Sequence, residues 1–377
     1  MSGKIIRVGI AGQGRSGFDI HARWLREAPA QYKIVAVADQ MPERREQAVK
    51  EFGCRAYADY HELIADSGID LFVNSLPSNL HPKGTIEALK AGHNVVCEKP
   101  LATKVKDFDA VVAAAKKAKR LFAPFQNSRF YPYFEKIREV IASGKLGRVL
   151  FIRINASGFA RRWDWQTKQE FWGGNLNNTG PHPMDQAIVL FGPKTPKVFS
   201  RMKSEIGSVG DADDFVLVIL HDGVAQPPRL GEDEHRRGRL CHPLIEVAVT
   251  SYQAYPLGEM YNISGTLGGL TGGPGALKWR YYDPAKAPVL KLHTGWSDNR
   301  QYCKETLPWV EESWELPKDV DSFQYNSRAF YNNVHDALTG SADLIVKPAE
   351  VRRQIAVLEE CHRQNKLPRL EEKYGKG

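Results

Sequence analysis

The chain has 377 residues, of which 42% are hydrophobic and 25% charged, and its formal net charge is +8. This length favours two domains, and the balance is typical of a soluble globular protein rather than a disordered or membrane-embedded one. The five cysteines form no CxxC pair and the eleven histidines show no metal-ligand spacing, so we expect neither a disulfide framework nor a metal.

The distribution of apolar and basic residues bears on location and partners. No apolar run approaches the roughly 18–20 residues that span a bilayer, and Arg7 interrupts the N-terminal run, which argues against a signal peptide. The basic clusters KKAKR and HRRGR (residues 116–120 and 235–239) lack interleaved aromatic residues. We therefore expect a cytoplasmic protein with no membrane or nucleic-acid partner.

Short apolar strands alternate with helical patterns up to residue 124. The predicted strands are Ile5–Ala11, Ile34–Ala38, Leu71–Asn74, Val95–Cys97 and Leu121–Ala123, and the predicted helices are Phe18–Glu27, Glu43–Phe52, Pro82–Ala91 and Asp107–Lys119. Alternating strands and helices, with wholly apolar strands, predict a parallel sheet covered on both faces. We therefore assign residues 1–124 to a doubly wound α/β domain of the Rossmann type.

A different pattern follows in residues 125–377. The predicted strands are Val149–Ile154, Phe215–Leu220, Ile245–Ser251, Tyr261–Gly265 and Leu277–Tyr282, with helices at Tyr131–Ser143, Asp321–Leu338 and Pro348–Gln364. Turns rich in glycine and proline separate the strands, which predicts an α+β domain with a large, mostly antiparallel sheet. Residues 226–243 resemble an exposed hairpin or an insertion.

Three spaced glycines follow the first predicted strand and open the first helix. Gly12 permits a tight turn, Gly14 lets a pyrophosphate approach the backbone, and Gly17 lets helix and sheet pack closely. The helix N-terminus adds unpaired N–H groups and a partial positive charge. This context predicts a dinucleotide site that includes Arg15 and Ser16; the alternative is a strand–helix turn without a ligand.

The residue that ends the second strand bears on the choice of cofactor. Asp39 follows Gly17 by 22 residues, and a carboxylate there accepts the ribose hydroxyls of NAD and repels the 2′-phosphate of NADP. Arg44 and Arg45 could instead reach a 2′-phosphate if the loop folds back. We expect NAD, with NADP or dual use as the alternative.

Two further loops leave predicted strands at the same carboxyl edge of the sheet. The segment LPSNLHP follows the strand Leu71–Asn74, and CEKPLA follows the next strand. Open α/β sheets bind cofactors at this edge. The predicted cofactor contacts are Leu76, Pro77, Asn79, His81, Glu98 and Lys99. The alternative for Lys99 is an ordinary solvated loop lysine.

The segments VGIAGQGRSG, VAVAD, LPSNLHPKGTIEALKAGHNVVCEKPLA and GGNLNNTGPHPMDQ resemble the Gfo/Idh/MocA oxidoreductase family. The resemblance runs through nearly the whole chain, although the stretch 226–243 is not a hallmark of the family. The family includes inositol dehydrogenases, glucose–fructose oxidoreductase and sugar or glycoside dehydrogenases. The resemblance implies transfer of a hydride to NAD from a secondary hydroxyl of a sugar, polyol or glycoside.

The resemblance also implies a catalytic pair, Lys99 of EKP and His182 of TGPHPMD. A histidine is suited to take the hydroxyl proton near neutral pH, and a lysine cation stabilises the developing alkoxide. Most family members carry aspartate where this chain has Asn178, which can orient the imidazole or bind a sugar hydroxyl but cannot raise the pKa of His182. Asp185 is either a substitute carboxylate or a structural residue at a helix start, and we favour the structural role.

The segment FARRWDWQTKQEFWGGN precedes the histidine and is expected to face the nicotinamide. Its tryptophans offer flat apolar faces to a sugar, and its polar residues offer partners for hydroxyls. The predicted substrate contacts are Arg162, Trp163, Trp165, Asn178, His182 and Lys99, and Trp172, Asp164 and Asn175 are further candidates. The alternative is that the aromatic residues pack under the sheet.

Other functions remain open at this level. A reductase of a linear pigment or an imine could use a similar fold, and a non-catalytic sensor could keep the dinucleotide site. A sensor would be expected to lose the lysine or the histidine, and this chain has both. A broad second sheet could pair with its copy, so we expect a homodimer or homotetramer.

Overall fold

The computed structural model describes residues 4–205, 209–223, 242–295, 302 and 304–374. The predicted insertion at 226–243 and the basic cluster at 235–239 therefore lie almost wholly outside the described residues. No helix within these ranges is long and apolar enough to cross a membrane.

The first sheet is parallel, as predicted. Its strands are β1 (Ile6–Ala11), β2 (Tyr32–Ala38), β3 (Arg55–Tyr57), β4 (Leu71–Asn74), β5 (Asn94–Cys97) and β6 (Phe122–Pro124), in the order β3-β2-β1-β4-β5-β6. The sequence prediction missed β3, since a three-residue edge strand that starts with an exposed arginine carries no apolar run. The doubly wound α/β class is confirmed.

Helices cover this sheet and connect its strands. The first, α1, is wound as a π-helix over Arg15–Ala22 and continues as an α-helix over Arg23–Glu27. The others are α2 (Pro42–Phe52), α3 (Tyr60–Ala65), α4 (His81–Lys90) and α5 (Val105–Ala118). The caps follow the sequence: Asp59 accepts the N–H of His61, and Gly53 ends α2 in the left-handed conformation, which glycine adopts at little cost.

The second sheet has eight strands in the order β14-β13-β12-β11-β7-β10-β9-β8. They are β7 (Val149–Asn155), β8 (Lys197–Lys203), β9 (Phe215–His221), β10 (Leu244–Thr250), β11 (Tyr261–Gly265), β12 (Gly268–Gly272), β13 (Ala276–Tyr281) and β14 (Val310–Glu315). All neighbours are antiparallel except β7 and β10, so the predicted class is again confirmed. The prediction missed β8, β12 and β14, whose lysines, glycines and glutamates disfavour strands locally.

Helices pack on one face of this sheet and return to the first domain. They are α6 (Pro132–Ala142), α7 (Asn175–Asn178), α8 (Pro181–Phe191), α9 (Ser322–Thr339), α10 (Pro348–Gln364) and α11 (Leu370–Tyr374). Buried residues of α9, including Phe330 and Tyr331, belong to the hydrophobic core around the first sheet. Tyr331 stacks on Trp24 of α1 at 5.3 Å between ring centres. The end of the chain thus packs on the domain formed by its beginning.

Candidate active site

The strand order places a crevice at the carboxyl edge of the first sheet. β1 lies between β2 and β4, where the order reverses direction, and open α/β sheets bind ligands at such a switch point. The glycine turn follows β1, residues 76–80 follow β4, and Glu98 and Lys99 follow β5. The structure therefore brings the three predicted loops to one edge.

The backbone requires glycine at Gly12 and Gly17 for different steric reasons, and Gly14 differs from both. Gly12 has φ +89°, and a Cβ there would lie 2.4 Å from the carbonyl oxygen of Ser75. A Cβ on Gly17 would lie 1.8 Å from the carbonyl oxygen of Gly12. The nearest atom to a Cβ on Gly14 is an Arg44 nitrogen at 3.7 Å, so the backbone there stays open to a close approach. This arrangement fits a bound pyrophosphate.

The start of α1 has the polarity that a phosphate requires. Gly14 is its N-cap with no side-chain cap bond, and the first turn contains no acidic residue. Arg15 is exposed and Ser16 half-buried there. Free N–H groups and a positive helix end at this place would hold the anionic part of a dinucleotide.

Asp39, directly after β2, organises the adjoining turn. Its carboxylate accepts the N–H of Gln13 at 2.7 Å and the N–H of Met41 at 2.9 Å. Arg44 lies 3.5 Å from the same carboxylate, whereas Arg45 donates to the carbonyl oxygens of Asp39 and Gln40. Of the two arginines that sequence reasoning weighed for a 2′-phosphate, Arg44 is therefore the one placed beside Asp39 and Gly14.

The loop after β4 places its residues at the crevice, but His81 has a structural task. Leu76 is half-buried, Pro77 is exposed, and the side-chain oxygen of Asn79 is buried without a hydrogen-bond partner among the described residues. The buried His81 ring has Nδ1 2.8 Å from the Pro100 carbonyl oxygen and Nε2 2.8 Å from that of Leu76. The His81 ring thus links this loop to the EKP loop and does not face the crevice, so the predicted cofactor contact of its side chain finds no support in these contacts.

Glu98 also differs from its prediction as a cofactor contact. It is 3% exposed, and its carboxylate lies 3.3 Å from Nε2 of the fully buried His21 and accepts the Lys99 N–H at 2.9 Å. Nδ1 of His21 lies 2.6 Å from the hydroxyl of Tyr331. Burial alone would raise the pKa of Glu98, but His21 and then Lys99 lower it to about 2. Glu98 thus faces the interior and holds the backbone of Lys99.

The predicted catalytic residues of both domains meet at the crevice. Nζ of Lys99, which precedes a cis proline, donates to the backbone carbonyl of Asn178 at 3.0 Å. Burial, followed by the Lys99 cation, lowers the pKa of His182 to about 3. Its Nδ1 is buried with no hydrogen-bond partner in the described ranges. The lysine amine and the histidine therefore lie within electrostatic reach of each other, and burial disfavours the charged imidazole.

Burial is also the main cause of the lowered pKa of Lys99. The charges of Arg15 and Arg162 lower it further, and Glu98 opposes them. These effects show that Arg15 from the glycine turn and Arg162 from the second domain lie within electrostatic reach of the lysine. The crevice thus gathers positive charge from both domains.

Asn178 contacts this pair in a way that the sequence did not predict. Its side-chain nitrogen donates to the backbone carbonyl of Gln166 at 3.2 Å, and its own backbone carbonyl accepts from Lys99. The amide therefore does not orient Nδ1 of His182. Asp185 is fully buried and accepts from Nε and Nη2 of Arg129, at 2.7 and 2.8 Å. It lies beyond the first turn of α8, so its role is this interior ion pair and not the helix-start role favoured from sequence.

The segment before His182 presents its aromatic residues to solvent. Trp163 is 81% exposed and Trp165 is 42% exposed, so neither packs under the sheet. Arg162 binds the carboxylate of Asp164 at 2.7 Å. Asn175 donates to the backbone of Asp214 at 2.8 Å and is committed to the protein interior. Trp172 is half-buried, with φ +58°.

Sequence reasoning missed the carboxylates that support this segment. Asp211, Asp213 and Asp214 are buried directly before β9, and the signal was the acidic run DADD against an apolar strand. Burial raises the pKa of Asp213 to about 7, while the N–H of Leu176 lowers it. Within the described part of the chain, no group of three or more His, Cys, Asp or Glu could hold a metal ion.

Comparison with known proteins agrees with this geometry. The profile of an oxidoreductase family with an NAD-binding Rossmann fold matches residues 6–125, and that of the family's C-terminal alpha/beta domain matches residues 138–367. An uncharacterized oxidoreductase of Schizosaccharomyces pombe is 28% identical over 382 residues, which cover 96% of each chain.

Two further matches carry named activities or ligands. A myo-inositol 2-dehydrogenase of Thermotoga maritima is 30% identical over 220 residues, which cover 57% of this chain and 64% of that protein. The crystal structure of the WlbA dehydrogenase from Bordetella pertussis in complex with NADH and UDP-GlcNAcA has the same fold, with a TM-score of 0.72, 21% identity and coverage of 97% and 96%. The chain belongs to the Gfo/Idh/MocA oxidoreductase family, and its first domain is the NAD-binding Rossmann domain of that family.

Proposed function

We propose that this protein is an NAD-dependent dehydrogenase that oxidises a secondary hydroxyl of a sugar, polyol or glycoside. The observation that carries the proposal is that Nζ of Lys99, at the carboxyl edge of the dinucleotide-binding sheet, bonds the backbone carbonyl of Asn178 and lies within electrostatic reach of His182. The relative from Thermotoga maritima, a myo-inositol 2-dehydrogenase, supports a polyol-like substrate.

The cofactor would be held by the glycine turn and by the loops beside it. Gly14 leaves the backbone open, the start of α1 offers N–H groups, and Asp39 lies at the end of β2 where a ribose is bound in such domains. A bound NAD would supply the acceptor for the hydride of the carbinol carbon. Arg44 beside Asp39 keeps NADP as the alternative cofactor.

The chain's own residues would handle the proton and the oxygen. His182, whose pKa lies well below neutral pH, would take the hydroxyl proton as a neutral imidazole. The Nζ of Lys99 donates a hydrogen bond to the oxygen as it gains negative charge. Each contribution is expected to be worth roughly 10²–10⁴ in rate. Trp163 and Trp165 would offer their exposed faces to the apolar side of a sugar.

A substrate screen tests this function. The protein is incubated with NAD or NADP and with myo-inositol, hexoses or aryl glycosides, while NADH or NADPH absorbance is followed. Turnover by the wild type should be lost in Lys99→Ala and His182→Ala and kept in Lys83→Ala, which changes an exposed lysine of the same domain.

Two other results would change the proposal. Tight NAD binding without turnover of any hydroxyl substrate would favour a dinucleotide-binding regulator. Oxidation of NADH only in the presence of an imine or a linear pigment would favour a reductase.

We also propose that the open face of the second sheet pairs with its copy in a homodimer or homotetramer. Phe199 of β8 is 60% exposed and lies opposite Ile219 of β9, and Leu244 of β10 lies opposite Phe151 of β7. Cross-strand partners share a face, so these apolar side chains lie on one face of the sheet, together with the Arg153–Glu246 ion pair. Light scattering of the wild type and of Phe199→Asp tests this: the wild type should be oligomeric and the variant smaller, and a monomeric wild type would contradict the proposal.

A further inference from the structure

We infer that Asp213 is a positioning residue for Lys99 and His182, and that it acts through the short helix α7. The inference rests on the proposed function for the meaning of those two residues. The contacts of Asp213 do not depend on the proposed function. They lie at the start of α7, whereas Lys99 contacts its end.

The three aspartates before β9 bind different backbone segments. Asp211 accepts the N–H groups of Gln169 and Leu370, at 2.8 and 3.1 Å. Asp214 accepts the N–H of Glu205 at 2.9 Å and the hydroxyl of Tyr252 at 2.7 Å. Among the three carboxylates, only that of Asp213 accepts from the backbone of α7; the backbone carbonyl of Asp214 accepts from the side chain of Asn175 at 2.8 Å.

Asp213 holds two successive backbone groups of α7. Its carboxylate accepts the N–H of Leu176 at 2.7 Å, and its backbone carbonyl accepts the N–H of Asn175 at 2.8 Å. Asp213 is 3% exposed, and burial strengthens a hydrogen bond to an ionisable acceptor while making its loss costly. The helix therefore starts from a fixed point.

The other end of α7 reaches the catalytic residues. The N–H of Asn178 donates to Gly174, and the carbonyl of Asn178 accepts from Nζ of Lys99 at 3.0 Å. The N–H of Gly180 returns to the carbonyl of Asn175 at 2.7 Å, and α8 then begins with His182 as its second residue. A four-residue helix is too short to absorb a shift. A displacement of its start would therefore also move the Asn178 carbonyl that accepts from Lys99 and the start of α8, which carries His182.

Gly174 shows how closely this support is packed. Its φ is +98°, and a Cβ there would lie 2.3 Å from Oδ1 of Asp213. The backbone thus contacts one carboxylate oxygen while the other binds Leu176. One oxygen of Asp213 thus packs on Gly174, directly before α7, and the other accepts the N–H of Leu176 within it.

Two asparagine variants separate positioning from general stability. Asp213→Asn keeps the size of the side chain and removes its charge. Asp211→Asn is the matched control, because Asp211 is also buried and also accepts backbone N–H groups, but those groups lie outside α7. Hydrogen exchange read by mass spectrometry should show faster exchange at 175–182 in the first variant and near 169 and 370 in the second.

The decisive measurement is the chemical reactivity of Lys99 in the full-length protein. Competitive acetylation at one fixed pH, with the exposed Lys83 as internal reference, requires no substrate. In Asp213→Asn the relative rate at Lys99 should rise about fivefold or more, because a weaker neutral amide replaces the carboxylate that accepts the Leu176 N–H, and the carbonyl of Asn178 then holds Nζ less firmly. Asp211→Asn should leave this rate within about twofold.

Binding and turnover provide the second reading. NADH affinity should stay within about twofold in both variants, since neither residue touches the glycine turn. With a substrate found in the screen, kcat of Asp213→Asn should fall about tenfold while KM for NAD is kept, as expected for a residue that places the reacting groups.

The inference fails if folded Asp213→Asn labels Lys99 at the wild-type rate, or if Asp211→Asn changes that rate equally. Should Asp213→Asn not fold, Gly174→Ala tests the same support from the other side and should also raise Lys99 labelling. In the wild type itself, rapid exchange of the Leu176 amide would overturn the inference. Failure of the proposed function is a separate result, since it would show as no turnover with Lys99 labelling still dependent on Asp213.

Discussion

Replacing Glu98 by glutamine should destabilise the protein near neutral pH, because it removes a buried carboxylate whose charged form its surroundings stabilise. Glu98 is 3% exposed and lies 3.3 Å from Nε2 of His21, which is 0% exposed. A neutral amide also accepts the Lys99 N–H more weakly than the carboxylate does, and a hydrogen bond to a charged group is worth about 1.5–3 kcal/mol.

The pKa of Glu98 gives an independent magnitude. Its folded value of about 2 lies below the ordinary value of 4.5. At about 1.36 kcal/mol per pH unit, this difference corresponds to about 3 kcal/mol of stability. Because the folded pKa is lowered, that stability is fully present above about pH 4.5 and is lost as the pH falls toward 2. The deficit of Glu98→Gln should therefore shrink across this window.

Urea unfolding of both forms between neutral pH and pH 3 measures the effect. Asp109→Asn is the matched control, because the pair of Asp109 with Arg352 is 45% and 50% exposed and should contribute less than about 1 kcal/mol. A double-mutant cycle with His21→Ala should give a coupling of about 1–3 kcal/mol. A free energy of unfolding for Glu98→Gln within about 0.5 kcal/mol of wild type would refute the reasoning.

Further predictions concern the cofactor and the catalytic groups. Asp39→Ser should weaken the binding of NAD and reduce the discrimination against NADP, as measured by calorimetric titration with each cofactor. A wild type that binds NADP tenfold more tightly than NAD, or by about 1.4 kcal/mol, would contradict this. Lys99→Ala and His182→Ala should each lower kcat by roughly 10²–10⁴ while NAD binding persists, and wild-type turnover in either would remove that residue from the mechanism. Asn178→Asp adds a carboxylate near His182, which favours the imidazolium and should move the acid limb of the kcat/KM profile upward by about one pH unit from its position near pH 3. An unmoved limb would mean that the new carboxylate stays directed toward Gln166.

The sequence by itself determined the features that depend on neighbours along the chain. Apolar strands alternating with amphipathic helices predicted the parallel sheet, since a strand buried on both faces must be apolar throughout. The spacing of Gly12, Gly14 and Gly17 after β1 predicted the dinucleotide turn, because only glycine fits its φ angle and its close backbone contacts. The roles of Lys99 and His182 came from a family resemblance and stay predictions.

Only the tertiary structure decided which of the predicted residues face the crevice. His81 and Glu98 lie in motifs at the correct edge of the sheet, yet their side chains turn inward to Pro100 and His21. Periodicity cannot report this, because one loop directs successive side chains to opposite sides.

The contacts that assemble the site join residues far apart in the chain. Lys99 meets the carbonyl of Asn178 79 residues later, and His21 meets Tyr331 310 residues later. Asp213, which lies directly before β9, supports α7 through Leu176, 37 residues earlier in the chain. Local sequence patterns carry no information on such pairs, since the packing of the two sheets and the return of α9 set their distances.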